Sequence, residues 1–374
     1  MVLFIKDVLQ GDFAMTMIAM QENKKFPMLI GDLLFSSQTQ LNTDFVYPSF
    51  NIDIDLPIAG NRHPFRMIQK TYIVHPQVAV VVAGGYGLIK SFISKIKNYF
   101  CVHAATIDNL DSFVASYSFS DNEAYGICLA DLNNSGFQYR YIGNWLEREY
   151  PTIGKIRSAA SGSLDFLKQC DSFNSSGILM EANTYGNAIA NICMLLSTVL
   201  GSERYFADDI EHAWGAGFEI TVFDYSNNQF TKVDNLNHII WKAKYNMDTG
   251  IVESIPLSVM TYKYINDVLS ITSHIGKTPT MYVVLPIYID RSSFDTSILP
   301  TEPIVDADRI CNIYQVEIEG KDVVQPVCVF IEDNTSPQII FLKYENNRFM
   351  VYSQSEYGNI LENNIREWAK SHIK

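Results

Sequence analysis

The sequence predicts an α+β fold, with helices layered on mostly antiparallel sheets, on three observations. Short apolar runs come in pairs joined by polar Asn- or Lys-rich turns, the pattern of hairpins. The few segments with a helical period lie between groups of strand pairs rather than alternating with single strands. Hydrophobic residues make up 47% of the 374 and charged residues 18%, enough apolar surface to offset chain entropy and exclude wholesale disorder.

Met15 to Ala19 and Met28 to Phe35 read as two strands around the turn Gln21-Glu22-Asn23-Lys24-Lys25. From Ser36 to Pro64 the composition shifts to Gln, Asn, Asp, Thr and Pro, which marks a long surface insertion. Strands resume at Thr71 to Val74 and Val78 to Ala83, the second running into Gly84-Gly85. Leu88, Ile89, Phe92, Ile93, Ile96, Tyr99 and Phe100 then recur at helical spacing, with Lys90, Lys95 and Lys97 between them. Further strands are expected at Ala124 to Leu129, Gly136 to Ile142 and Ile156 to Ala160. A second helix is expected over about Ile178 to Leu200, from the stripe Ile189, Ile192, Cys193, Leu196, Val199 and Leu200, with Glu203 to Ala213 as a short continuation. Phe218 to Phe223 and Gln229 to Val233 make a hairpin around Asn227-Asn228. The remainder is strand-like at Met281 to Ile289, Ile310 to Ile318, Val323 to Ile331 and Gln338 to Tyr352, and closes with a helix over Asn359 to His372.

The chain is longer than one ordinary core organises. It divides into an extension over 1–14, a main domain over 15–245 that carries the insertion 36–65, and a β-rich region over 246–374 to which the sequence assigns no role. Lys and Arg total 28 against 41 Asp and Glu, a net charge of -13, with no basic stripe, so nucleic acid is not the expected partner. No apolar run has the length of a membrane span, and the start does not resemble a signal peptide, which points to a cytoplasmic protein without membrane attachment. The six cysteines are widely spread with no Cys-x-x-Cys pair, as expected of thiols in a reducing compartment.

Two phosphate-loop look-alikes fall short. Gly276-Lys277-Thr278 lacks the first glycine, since position 271 is Ile, and Gly84-Gly85-Tyr86-Gly87 lacks the full dinucleotide spacing. The seven histidines show no metal-ligand pairing on a helix. No cofactor and no metal are expected.

Taken together, the first 85 residues say more. Met15-Thr16-Met17-Ile18-Ala19-Met20 is followed by Leu29-Ile30-Gly31-Asp32, then by Lys70 to Ala83 ending in Gly84. This order resembles the start of a proteasome-type β subunit of the N-terminal-nucleophile hydrolases. In that family a Thr begins the first strand, an Asp lies sixteen positions later, and a Lys precedes by fourteen the glycine of the oxyanion hole. Thr16 to Asp32 is sixteen and Lys70 to Gly84 is fourteen. Ala160-Ser161-Gly162-Ser163 resembles the family's Ser-Gly turn, and Ala213-Trp214-Gly215-Ala216-Gly217 its Ser-Gly-Gly segment. Where the family has an Asp supporting the amine, this chain offers His212, or Glu211 or Asp209 in a shifted register.

The resemblance covers about Met15 to Val233 and implies an αββα sandwich of two antiparallel sheets between helical layers. It implies a threonine-type peptidase or amidase acting through an acyl-enzyme on a peptide or small amide, in a homo-oligomer. Thr16 would supply both nucleophile and, through its free α-amine, general base. Lys70, kept charged by Asp32, would stabilise the alkoxide, Gly84 would hold the oxyanion, and Ser161 would position the amine or a water. The alternative is a catalytically inactive protein of the same fold that serves assembly or partner binding.

Thr16 is preceded by fifteen residues, and Met15 stands where self-processing members usually have glycine. Three explanations stay open: atypical self-cleavage, a pseudoenzyme, or a start codon assigned too early. The third is favoured, because methionine removal from Met15-Thr16 would leave a free threonine.

Overall fold

The computed structural model describes residues 16–37, 48, 63–121, 123–131, 136–175, 180–206, 214–274, 279–290, 292, 294–300, 307–319, 324–332, 340–345 and 348–371. The extension 1–14, most of the insertion 36–65 and residues 275–278 fall outside them. Among the described residues the first part of the chain forms β1 (Ile18–Glu22), β2 (Met28–Asp32), β3 (Leu34–Ser37), β4 (His63–Met67), β5 (Thr71–His75) and β6 (Val78–Ala83). There follow α1 (Tyr86–Val102), α2 (Ile107–Ser116), β7 (Ala124–Asp131), β8 (Gly136–Ile142), β9 (Trp145–Tyr150), β10 (Gly154–Ala159), α3 (Ser163–Ser175) and α4 (Tyr185–Phe206). The remainder is β11 (Phe218–Asp224), β12 (Gln229–Lys232), β13 (Leu236–Tyr245), β14 (Val252–Ile265), β15 (Val268–His274), β16 (Thr280–Val284), β17 (Arg309–Ile318), β18 (Val324–Ile331), β19 (Ile340–Glu345), β20 (Arg348–Ser353) and α5 (Ser355–Ser371).

The fold is of the α+β class. One sheet has the order β12-β11-β2-β1-β10-β9, a second β5-β6-β7-β8, and a third β16-β15-β14-β13-β17-β18. The first two are antiparallel throughout. The third departs from the antiparallel expectation at one ladder, where β13 and β17 run parallel from Leu236↔Arg309 to Tyr245↔Ile318.

Strand alternation decides what each face touches. Ile18, Met20 and Leu29 of the first sheet meet Ala79, Val81, Cys128 and Ala130 of the second. The opposite face of the second sheet, with Val78, Val80, Val82, Ile127 and Leu129, is covered by α1 and α2. In α1 the buried residues Ile89, Phe92, Ile93, Ile96 and Phe100 form one helical stripe, each worth about 1.5–3 kcal/mol of apolar burial. On the far side of the first sheet, Met17, Ala19, Met28 and Ile30 pack on α3 and α4. The same apolar cluster continues through α4 to Leu236, Ile240, Met260, Leu269 and Cys311 of the third sheet. α5 closes the outer face of that sheet with Leu361, Ile365 and Ala369.

Several elements differ from expectation. The predicted helix over 178–200 begins at Tyr185, and α3 precedes it as a separate helix. In α3 a stripe of Phe166, Leu167, Cys170 and Phe173 lies among Ser, Asp, Gln and Asn, residues of modest helix propensity. α2 and the edge strand β9 were likewise not predicted; β9 is mostly exposed and so lacks a strong apolar alternation. β16 stops at Val284, short of the expected Ile289, and Pro286, which has no N–H to donate, follows two residues later. β13, inside the span 15–245, belongs to the third sheet. Cys128, Cys170, Cys193 and Cys311 are buried and Cys101 is exposed, all as free thiols. No helix among the described residues is long and apolar enough to cross a membrane.

His238 of β13 faces α4, where its Nδ1 hydrogen-bonds the Ser197 hydroxyl. Burial lowers its pKa from 6.5 to about 3. The unfolded chain therefore binds a proton that the folded chain refuses, and this contribution to stability falls as pH drops from 6.5 toward about 3. Urea midpoints should decline over that window. His238→Asn, which keeps an acceptor for Ser197, should flatten the decline; an unchanged slope would assign it to carboxylates instead.

Candidate active site

Thr16 lies two residues before β1, Asp32 ends the neighbouring strand β2, and Lys70 immediately precedes β5 in the second sheet. All three are buried, at 0%, 0% and 1% exposure. Asp32 organises them. Its Oδ1 accepts from the Thr16 hydroxyl (2.6 Å), from the Met17 amide (2.9 Å) and from Lys70 Nζ in a close ion pair. Its Oδ2 accepts from the Gly215 amide (2.9 Å). Lys70 Nζ also donates to the Leu34 carbonyl (2.6 Å). Burial pushes the Asp32 carboxyl above its usual value and the Lys70 ammonium below its own, while their mutual attraction opposes both shifts.

Ser161 follows β10, the other neighbour of β1. The Thr16 amide donates to Ser161 Oγ (3.0 Å), and the Ser161 hydroxyl donates back to the Thr16 carbonyl (3.3 Å), which also accepts from the Gly162 amide (3.1 Å). Ala160 holds φ +75°, a left-handed conformation that costs a non-glycine residue about 1–3 kcal/mol and here aims Ser161 at Thr16. Gly84, between β6 and α1, has φ +145° and lines a small cavity together with Ala160 and Ser161; Asp121 and Glu123 face the same space. A side chain at Gly84 would crowd Glu123 Cγ at 3.2 Å.

Thr16, Asp32, Lys70 and Ser161 are therefore joined by direct hydrogen bonds, with Gly84 on the cavity that Ser161 borders. His212, Glu211 and Asp209 lie outside the described residues. Gly215 is an Asp32 donor to which sequence reasoning gave no role, although the Trp214-Gly215-Ala216-Gly217 run was singled out. Gly215, Ala216 and Gly217 carry φ of 113°, 61° and 116°. This left-handed run turns the Gly215 amide onto Asp32 and its carbonyl onto the amides of Leu33 (3.2 Å) and Leu34 (3.1 Å).

Chemically, the site offers a hydroxyl on a buried carboxylate, an ammonium on the same oxygen, and a hydroxyl at the threonine nitrogen. In comparisons with known proteins, no family model and no curated protein matches the chain.

Removing one member of a buried ion pair strands the other, at a cost of about 3–5 kcal/mol. Asp32→Asn should lower the unfolding free energy by about that much. Adding Lys70→Met should recover part of the loss, because no uncompensated ammonium then remains. Denaturant unfolding of the two singles and the double reads this coupling, and strict additivity would show that the two charges do not sense each other.

Proposed function

We propose that this protein is an N-terminal-nucleophile hydrolase of the proteasome β type, an αββα sandwich whose nucleophile is the Thr16 hydroxyl. Its substrate class is a peptide or small amide. The observation that carries this reading is the meeting of Thr16 Oγ1, Met17 N–H and Lys70 Nζ on Asp32 Oδ1, with Ser161 on the Thr16 nitrogen.

In the intact chain the Thr16 nitrogen is a peptide amide and holds no proton-accepting pair. Removal of residues 1–15 converts it to an α-amine with a pKa near 7.7 to 8.0, about right for a general base at neutral pH. Thr16 Oγ1 then leaves its bond to Asp32, gives its proton to that amine and attacks the substrate carbonyl. Lys70, anchored by Asp32 and the Leu34 carbonyl, stabilises the forming alkoxide. The Gly84 amide receives the oxyanion of the tetrahedral intermediate, a contact typically worth about 2.7 to 4 kcal/mol. Collapse expels the amine leaving group with the proton returned from the Thr16 amine. Water, activated by the same amine, hydrolyses the ester and regenerates the hydroxyl. Ser161 keeps the amine in place throughout.

The second reading, a non-catalytic protein that serves assembly or partner binding, is favoured by the complete burial of Thr16. The state of the amino terminus separates the two. On the catalytic reading, intact mass of protein from its own cells shows a chain beginning at Thr16, and that form is acylated by a β-lactone. Thr16→Ala abolishes labelling, and Lys70→Ala slows it by about 10²-fold or more through lost charge stabilisation. Retention of residues 1–15 together with indifference to the probe would select the non-catalytic reading. The likeness also carries the expectation of a homo-oligomer, and the spread of unpaired cysteines that of a reducing compartment such as the cytoplasm. Light-scattering mass reads the first part, and a strict monomer at micromolar concentration overturns it.

A further inference from the structure

Lys70 sits on a three-residue segment that is gripped from outside its own sheet. Glu219 of β11, 2% exposed, accepts the main-chain amides of both Lys70 and Thr71 (2.6 Å for Thr71) through Oε1. It stands opposite Gly31 in the β11–β2 ladder, and the missing side chain there is what admits the lysine: a methyl on Gly31 would lie 2.8 Å from Lys70 Cβ. Glu219 Oε2 accepts from Lys232 Nζ (2.7 Å) and from the Tyr264 hydroxyl (3.2 Å). Lys232 Nζ reaches on to the Thr71 carbonyl and to Thr71 Oγ1 (2.6 Å). On the other side of Lys70, the Gln69 side-chain amide donates to the carbonyls of Asp267 (2.7 Å) and Val284 (2.9 Å).

Tyr264, Asp267 and Val284 all belong to the third sheet or to its β14–β15 turn. Two ion pairs, the buried Asp32–Lys70 and the largely buried Glu219–Lys232, thus lie side by side. Buried pairs are a poor way to gain stability, since desolvation cancels much of the attraction. They are an effective way to fix a position, because each charge tolerates only a geometry that satisfies it.

We propose that the third sheet is part of the catalytic apparatus: through Tyr264 on Glu219, and through the Asp267 and Val284 carbonyls on Gln69, it fixes where the Lys70 ammonium stands relative to Thr16 and Asp32. This rests on the role given to Lys70 in the preceding section. Glu219, Tyr264 and Gln69 are positioning residues that touch no substrate. Glu219 also favours the charged form of Lys70 through its own negative charge. The titratable groups that face Lys70 and Glu219 are Asp32 on β2, Tyr72 on β5, Lys232 on β12, Tyr264 on β14 and Tyr288 after β16.

Two variants test it, Glu219→Gln and Tyr264→Phe, the second removing a single oxygen in case the first does not fold. On the full chain, amine acylation by acetic anhydride, mapped by peptide mass, should find Lys70 protected in the wild type. Its modification should be several-fold faster in both variants at matched global stability. On the form beginning at Thr16, β-lactone labelling should slow by up to about 100-fold in Glu219→Gln, as expected for a displaced charge. The alkaline limb of its pH profile should move to lower pH, because Lys70 gives up its proton more easily once Glu219 is neutral. Tyr264→Phe should slow labelling less and leave the limb nearly in place. Unchanged Lys70 protection and an unmoved profile would overturn the proposal. A wild type that ignores the β-lactone would instead overturn the catalytic reading, with Lys70 protection still deciding whether the third sheet holds the lysine.

Discussion

A carboxylate with no exposure to water and a cation on one of its oxygens constrains everything near it. Removing such a charge from water costs several kcal/mol even after relaxation, so each lone pair of Asp32 has to meet a donor. Those donors come from three places in the chain: the lead into β1 supplies Thr16 and Met17, the lead into β5 supplies Lys70, and the loop before β11 supplies Gly215. The demand accounts for backbone conformations that would otherwise be expensive. The left-handed run over 215–217 exists to turn an amide inward, and Ala160 holds a similar conformation where the next residue must reach the Thr16 nitrogen.

The packing explains why such a centre survives. α4 carries apolar residues around most of its circumference because it has a sheet on each side. A helix of a two-layer protein would need only a stripe. The C-terminal sheet is consequently continuous with the core of the first, and its β14–β15 turn arrives at the end of the molecule where Lys70 stands.

What could be read from the sequence was what hairpins determine. The sixteen-residue interval from Thr16 to Asp32 is the length of the β1–β2 hairpin, whose register pairs Ile18 with Gly31 and so brings its two ends together. The fourteen-residue interval from Lys70 to Gly84 is likewise the β5–β6 hairpin, with Thr71 opposite Val81. Joining the two intervals needs sheet-on-sheet packing, which no local spacing encodes, and the sequence supplied it only through likeness to a family. Glu219, Lys232 and Tyr264 gave no signal at all, since a Glu in the apolar strand β11, a Lys at the end of β12 and a Tyr in β14 look like ordinary surface residues until the sheets pack together. The reversed case is α3, whose stripe is legible in retrospect but lies in a segment of weak helix formers. The parallel β13–β17 ladder was hidden for the same reason as the Asp32–Lys70 contact: its strands are separated by the whole of β14, β15 and β16.

Because α4 has a sheet on both sides, the order in which the chain is made matters. A ribosome adds about 5–20 residues per second and releases the amino-terminal end first, so β1, β2 and the helices emerge well before β17. During that interval the outward side of α4 is bare and Tyr264 is not yet available to Glu219. The nascent chain therefore cannot complete the outer support of Lys70 until Tyr264, Asp267 and Val284 have emerged. Every donor to Asp32 is thus made before the strands that brace Lys70 from outside.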